Sequence, residues 1–136
     1  MNKYRVLTTD NEWLYINLSI YRDHPIVPLT NKEGQLIVNS SLELREETLS
    51  LFTTFQDKNR QGIYIGDILK KEVWDIALGK PRTLIFVVGF KKGSMVGWNK
   101  ATGNREICAI VRKTTRTELP IIIGNQWQNP ELLEGK

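Results

Sequence analysis

Asp57-Lys58-Asn59-Arg60-Gln61-Gly62-Ile63-Tyr64-Ile65-Gly66-Asp67-Ile68-Leu69-Lys70 opens with polar turn formers and passes into an alternating apolar strand. Asp57 reads as an Asx-type turn residue whose carboxylate accepts from backbone N–H groups ahead of it. Ile63 and Ile65 then share one face of a strand, since successive side chains point to opposite faces. Strict alternation brings Asp67 to that same face, yet the next apolar residue is Ile68. A bulge at Gly66 resolves the conflict. Glycine takes the positive φ that such a bulge demands, turning Asp67 outward and returning Ile68 to the core. Curvature at that point is what a small closed barrel needs.

On the amino-terminal side, Leu14, Ile16, Leu18 and Ile20 alternate on one face, and Asp10-Asn11 separates them from Tyr4-Arg5-Val6-Leu7-Thr8. Residues 3 to 20 therefore read as a hairpin. Pro25 and Pro28 make residues 22 to 35 an irregular connection with a Lys32-Glu33-Gly34 turn. A short strand follows at Leu36 to Val38. Between Ser40 and Thr48, Ser41-Leu42-Glu43-Leu44 fits either a capped helix start or a strand, and a connector is the favoured reading. Aromatic and β-branched residues return from Leu49 to Phe55.

On the carboxy-terminal side, Val73 to Gly79 reads as a loop or a short irregular helix. The continuous run Leu84-Ile85-Phe86-Val87-Val88 marks Thr83 to Phe90 as a strand buried on both faces. Lys91 to Ser94 is a turn, Met95 to Trp98 a strand, and Asn99 to Asn104 a turn around Gly103. Arg105 to Val111 and Leu119 to Ile123 complete the strands, and Asn129 is placed to cap a single helical turn starting at Pro130. The expected fold is mainly β: an SH3-like small barrel or β-roll over residues 49–136, preceded by an amino-terminal hairpin and connector over residues 1–48, with short helical turns.

Two segments resemble the YopX-like phage and prophage proteins. Phe52-Thr53-Thr54-Phe55-Gln56 leading into the run from Asp57 to Lys70 is similar to the family's aromatic-Thr-Gly-Leu-x-Asp-Lys-Asn-Gly-x-x-Ile-Tyr-x-Gly-Asp-Ile-Val pattern. Ile122-Ile123-Gly124-Asn125-Gln126-Trp127-Gln128-Asn129-Pro130-Glu131-Leu132-Leu133 resembles its Ile-Gly-Asn-aromatic-x-x-Asn-Pro-Glu-Leu-Leu ending. Lys3-Tyr4-Arg5 is similar to the opening Lys-Phe-Arg, after which Val6-Leu7-Thr8 replaces the usual Ala-Trp-Asp. Arg60 stands where the family prefers glycine, which implies a changed turn. The resemblance implies the same small-barrel architecture and a phage or prophage origin. It implies no biochemical activity.

Charge is unevenly spread. Residues 57–116 hold thirteen Lys or Arg against five Asp or Glu, whereas residues 1–56 hold five against seven. Lys58, Arg60, Lys70, Lys71, Lys91, Lys92, Arg112, Lys113 and Arg116 are the cations that a nucleic-acid partner would use, because clustered cations release counterions from a polyanion. The alternative is that they are solvated turns and outer faces. Trp74, Trp98 and Trp127 lie in or beside this region, where they either fill the core or offer rings for base stacking.

Catalytic chemistry has little to work with. His24 is the sole imidazole and Cys108 the sole thiol, so an internal disulfide and a Cys/His structural zinc site are both excluded. Cys108 reads as a small core residue, and Asp57 and Asp67 as architectural carboxylates. No glycine loop suits a nucleotide, and no catalytic residue, metal or cofactor is expected. No apolar run is long enough to span a bilayer and none resembles a signal peptide, so a cytoplasmic protein with no membrane partner is expected, in a bacterial host as the family resemblance implies. The favoured function is a non-catalytic protein-interaction module contacting a phage or host protein, with homo-oligomerisation possible through open strand edges. The alternative is a nucleic-acid-binding accessory protein.

Overall fold

The computed structural model describes residues 3–17, 19–21, 24–26, 29–37, 43–112 and 118–133. The chain forms two compact units, Met1–Phe52 and Thr53–Lys136.

In the first unit, β1 (Lys3–Thr8) and β2 (Trp13–Asn17) make the expected hairpin, with Asn11 at φ 64° in the connecting turn. Asn tolerates this left-handed conformation better than most residues. β3 (Ser19–Tyr21) pairs with β4 (His24–Ile26), and β5 (Leu29–Thr30) adds to β2. The stretch expected to be irregular thus carries two short strands. His24 belongs to one of them, and Leu18, Pro28 and Val38 lie outside the described residues. Val6, Leu14 and Ile16 form the small core of this unit, and the Arg5 guanidinium stacks 4.0 Å from the Trp13 ring centroid.

β6 (Leu44–Gln56) corrects the connector expected over Ser40–Thr48, of which residues 40–42 lie outside the description. Strand is already present at Leu44. Its buried side chains are Thr48, Ser50 and Thr53, while Leu49 is exposed, so apolar alternation marks the wrong face. Hydroxyls can be buried here because each is bonded. Thr48 Oγ1 accepts from Leu7 N–H and donates to Arg45 C=O; Thr53 Oγ1 donates to Ile63 C=O.

The second unit continues with β7 (Gly62–Tyr64), β8 (Asp67–Asp75), β9 (Lys80–Lys91), β10 (Ser94–Asn99), β11 (Gly103–Glu106), the single-turn helix α1 (Ile107–Ile110), β12 (Ile121–Asn125) and a 3-10 turn at Pro130–Leu133. Two five-stranded antiparallel sheets result, ordered β5-β2-β1-β6-β7 and β11-β10-β9-β8-β12. Neither closes on itself among the described residues. The expected barrel is replaced by open sheets, because β11 and β12 end the second sheet without meeting.

Ile63, Leu69, Leu84, Phe86, Val88, Ile107 and Ile110 build the main core. In β9 the even residues Leu84, Phe86 and Val88 are buried and the odd ones Ile85 and Val87 only half-buried. The apolar run is therefore a one-sided strand, not one covered on both faces. Residues 73–75 extend β8, and a turn at residues 76–79, closed by Gly79 N–H to Asp75 C=O, replaces the loop or helix expected there. Strand expected from Arg105 to Val111 stops at Glu106. Ile107 and Ile110 instead share a helical face, and Gly97 makes room for them, since a Cβ there would overlap the Ile110 side chain. A short apolar run fits either period, and burial selects the helical one.

Gly66 has φ 96°, as expected, but as part of the turn between β7 and β8. Asp67 is not turned outward. It is buried, and its Oδ2 accepts the Tyr64 N–H at 2.8 Å. Gly66 also donates to Val88 C=O and accepts from Gln126 N–H, with the Trp127 ring covering the place a Cβ would occupy. Replacing Gly66 by Ala is expected to destabilise the fold by about 2 to 4 kcal/mol, from positive φ plus ring displacement, read as a lowered melting temperature.

Arg60 lies at φ 64°, the conformation glycine adopts without penalty. Arg60 thus holds a left-handed position in a turn where the family prefers glycine. Arg60→Gly is expected to raise stability by about 1 kcal/mol through relief of that strain, measurable by chemical denaturation.

Candidate functional site

Asn99 sets the shape of the surface around it. β10 pairs with β9 only from Ser94↔Lys91 to Trp98↔Val87, whereas β8 accompanies β9 down to Lys80. The ladder on the β10 side stops because Asn99 Nδ2 donates to Ile85 C=O at 2.6 Å while its Oδ1 accepts Ala101 N–H and Thr102 N–H. The side chain takes the place of the next backbone partner and turns the chain away. Among the described residues, residues 80–86 of β9 are left with a strand neighbour on one side.

Beside this open edge lies a groove of about 720 Å3. Leu84, Ile85 and Trp98 line it with Leu132 and Leu133 from the 3-10 turn, and Arg82 and Lys100 supply its charges. Trp98 is 48% exposed, flanked across the strands by Val87 and Asn104, neither of which covers its ring. Trp98 also borders a second hollow of about 320 Å3 containing Phe90 and Lys91. Asn129 does not cap the terminal turn with its side chain. Its Oδ1 accepts from Asn125 N–H, and its C=O from Leu132 N–H, which fixes Leu132 and Leu133 after the strand.

The cations expected at a nucleic-acid surface are scattered. Lys58 and Arg60 are exposed in one turn, Lys70 on β8, and Lys91 and Lys92 at the β9–β10 turn, where they share a hollow with Glu106. Arg112 is exposed after α1; Lys113 and Arg116 lie outside the described residues. Lys71 leaves the surface set altogether. It is buried, and its Nζ donates to the C=O groups of Ile110 at 2.6 Å, Arg112 at 3.2 Å and Ala109 at 3.5 Å, satisfying carbonyls at the end of α1. Trp74 and Trp98 are surface residues, contrary to the core reading, and Trp127 is half-buried.

Cys108 is exposed on α1 and is not the core residue expected. Asp57 and Asp67 are buried acceptors of backbone N–H groups, so both are architectural. Among the described residues no group of three or more His, Cys, Asp or Glu could hold a metal ion, and no helix is long and apolar enough to cross a membrane. Arg82 and Lys100 were not among the candidate cations. The signal that could have found them is the mismatch between a twelve-residue β9 and a six-residue β10 ending in a turn-forming Asn.

A family model described as YopX protein matches residues 3–134. The chain belongs to the YopX family. No curated protein matches it. The match spans both units and reaches Asp57, Gly66 and the 3-10 turn that walls the groove. What the YopX family match carries is membership and a β-rich fold, with no activity attached.

Lys71 provides a test of this assignment of charges. Burial, and secondarily the nearby Arg105 charge, hold its pKa below the ordinary 10.5. The unfolded chain therefore keeps the proton over a window in which the folded one has lost it, and stability contributed by this residue rises with pH through that window, up to 10.5. Wild type is expected to gain stability relative to Lys71→Met as pH climbs through the alkaline range toward that value, followed by denaturation at stepped pH.

Proposed function

We propose that this YopX-family protein is a non-catalytic protein-interaction module whose working surface is the groove beside β9. The observation that carries the reading is the pairing of an apolar floor with a strand edge that Asn99 leaves open. Binding sites are typically concave and apolar with a few placed polar groups, and Leu84, Ile85, Trp98, Leu132 and Leu133 with Arg82 and Lys100 fit that description. Trp and Arg are enriched among the residues that anchor protein interfaces, and Trp98 and Arg82 line the same groove. The buried carboxylates are committed to backbone N–H groups, which favours binding over catalysis. The phage or prophage origin implied by the sequence resemblance supports a partner from the phage or its bacterial host.

Incorporation of p-benzoylphenylalanine at Lys100 in bacterial cells, followed by irradiation, tests the reading. Discrete protein adducts are expected from that position and not from the same substitution at Lys58, with loss of the adducts on Trp98→Ala. Adducts to nucleic acid alone would transfer the assignment to the nucleic-acid reading.

A further inference from the structure

The open edge of β9 has a definite hydrogen-bonding polarity. In a strand, the N–H and C=O of one residue point to one side and those of the next to the other. Ile85 C=O meets Asn99 Nδ2, and Val88 C=O meets Gly66 N–H, so odd residues face the vacated β10 side and even residues face β8. Thr83 thus presents its N–H and C=O to that side. Its hydroxyl is engaged elsewhere, donating to Glu72 Oε1 at 2.6 Å. Pro81 presents a C=O and has no N–H.

From this edge we infer that the groove receives an extended, acidic segment of a partner protein, added as a strand along Arg82 to Leu84 and bonded to the N–H and C=O of Thr83, a claim that rests on the interaction-module reading. Main-chain bonds to the edge supply affinity, and alternate side chains of the added strand supply specificity. One set of alternate residues meets Trp98, Leu132 and Leu133, which calls for apolar side chains. The charges call for carboxylates. Arg82 and Lys100 line the groove, Lys80 is exposed at the start of the edge, and none of the three forms an ion pair among the described residues. Among the described residues no Asp or Glu lines the groove.

The same features argue against the other occupants. A second copy paired edge to edge would set the Lys80 and Arg82 charges of one β9 near those of the other, and Pro81 blunts the ladder further. A nucleic-acid strand offers phosphates where the edge alternates donors with acceptors, and its bases would find one aromatic ring, Trp98, among the described residues that line the groove.

Fluorescence anisotropy of a labelled alternating Glu-Val octapeptide against the full chain tests the inference. Three comparison probes are the alternating Lys-Val peptide, the Glu-Val peptide N-methylated at alternate residues on each edge in turn, and oligothymidylate. Binding of Glu-Val is expected, weakened about tenfold or more by N-methylation on one edge only and by the Arg82→Glu, Lys100→Glu variant. Equal binding of every N-methylated peptide would overturn strand addition and leave the groove reading standing. Equal binding of Lys-Val would overturn the acidic partner. Failure of all peptides while the Lys100 adducts persist would sink this inference alone. Binding of oligothymidylate alone, with no protein adducts, would sink both.

Discussion

Asp57 joins the two parts of the sequence that most resemble the YopX family. Its Oδ1 accepts from Asn59 and Gln61 at 2.9 Å each, which forms the turn, and its Oδ2 accepts from Ile122 N–H at 3.0 Å, 65 residues along the chain. Lys58 N–H donates to Pro120 C=O beside it. A buried carboxylate is costly unless its lone pairs are met by donors, and here three backbone N–H groups meet them. The turn before β7 and the start of β12 are thereby held together. β12 in turn places Asn125, Asn129 and the leucines that wall the groove, so the groove depends on a carboxylate that does not line it.

Much of the architecture was legible because turn chemistry is local. The Asx turn at Asp57, the positive φ at Gly66, the Lys92-Gly93 reversal and the β1–β2 hairpin all follow from residues within a few positions of one another. The misreadings arise where distant partners decide. Thr48 and Ser50 are buried because Leu7 N–H and neighbouring carbonyls receive their hydroxyls, which no apolar pattern along β6 reveals. Asp67 turns inward because Tyr64 N–H awaits it. Ile107 and Ile110 share a buried helical face, and Gly97, on another strand, leaves space for Ile110.

The site was less legible than the fold for the same reason. Counting cations along the chain groups Lys71 with Lys70, although the strand sends one to solvent and the other to the carbonyls of α1. Arg82 and Lys100 stand eighteen positions apart and come together only because β9 and β10 pair out of step in length. Pairing length, unlike charge, is not a property of either segment alone.

Asn99 therefore acts as a stop placed on a zipper. The β10–β11 hairpin could in principle run further down β9, since the strand beneath it continues to Lys80. One amide, bonded at once to Ile85 and to the turn that follows, halts it after Trp98. The width of the opening is then a matter of where along the hairpin that amide falls. Moving it by two residues in either direction would keep every side chain on its face while lengthening or shortening the vacant edge, so the reach of that edge is adjustable on an otherwise unchanged sheet.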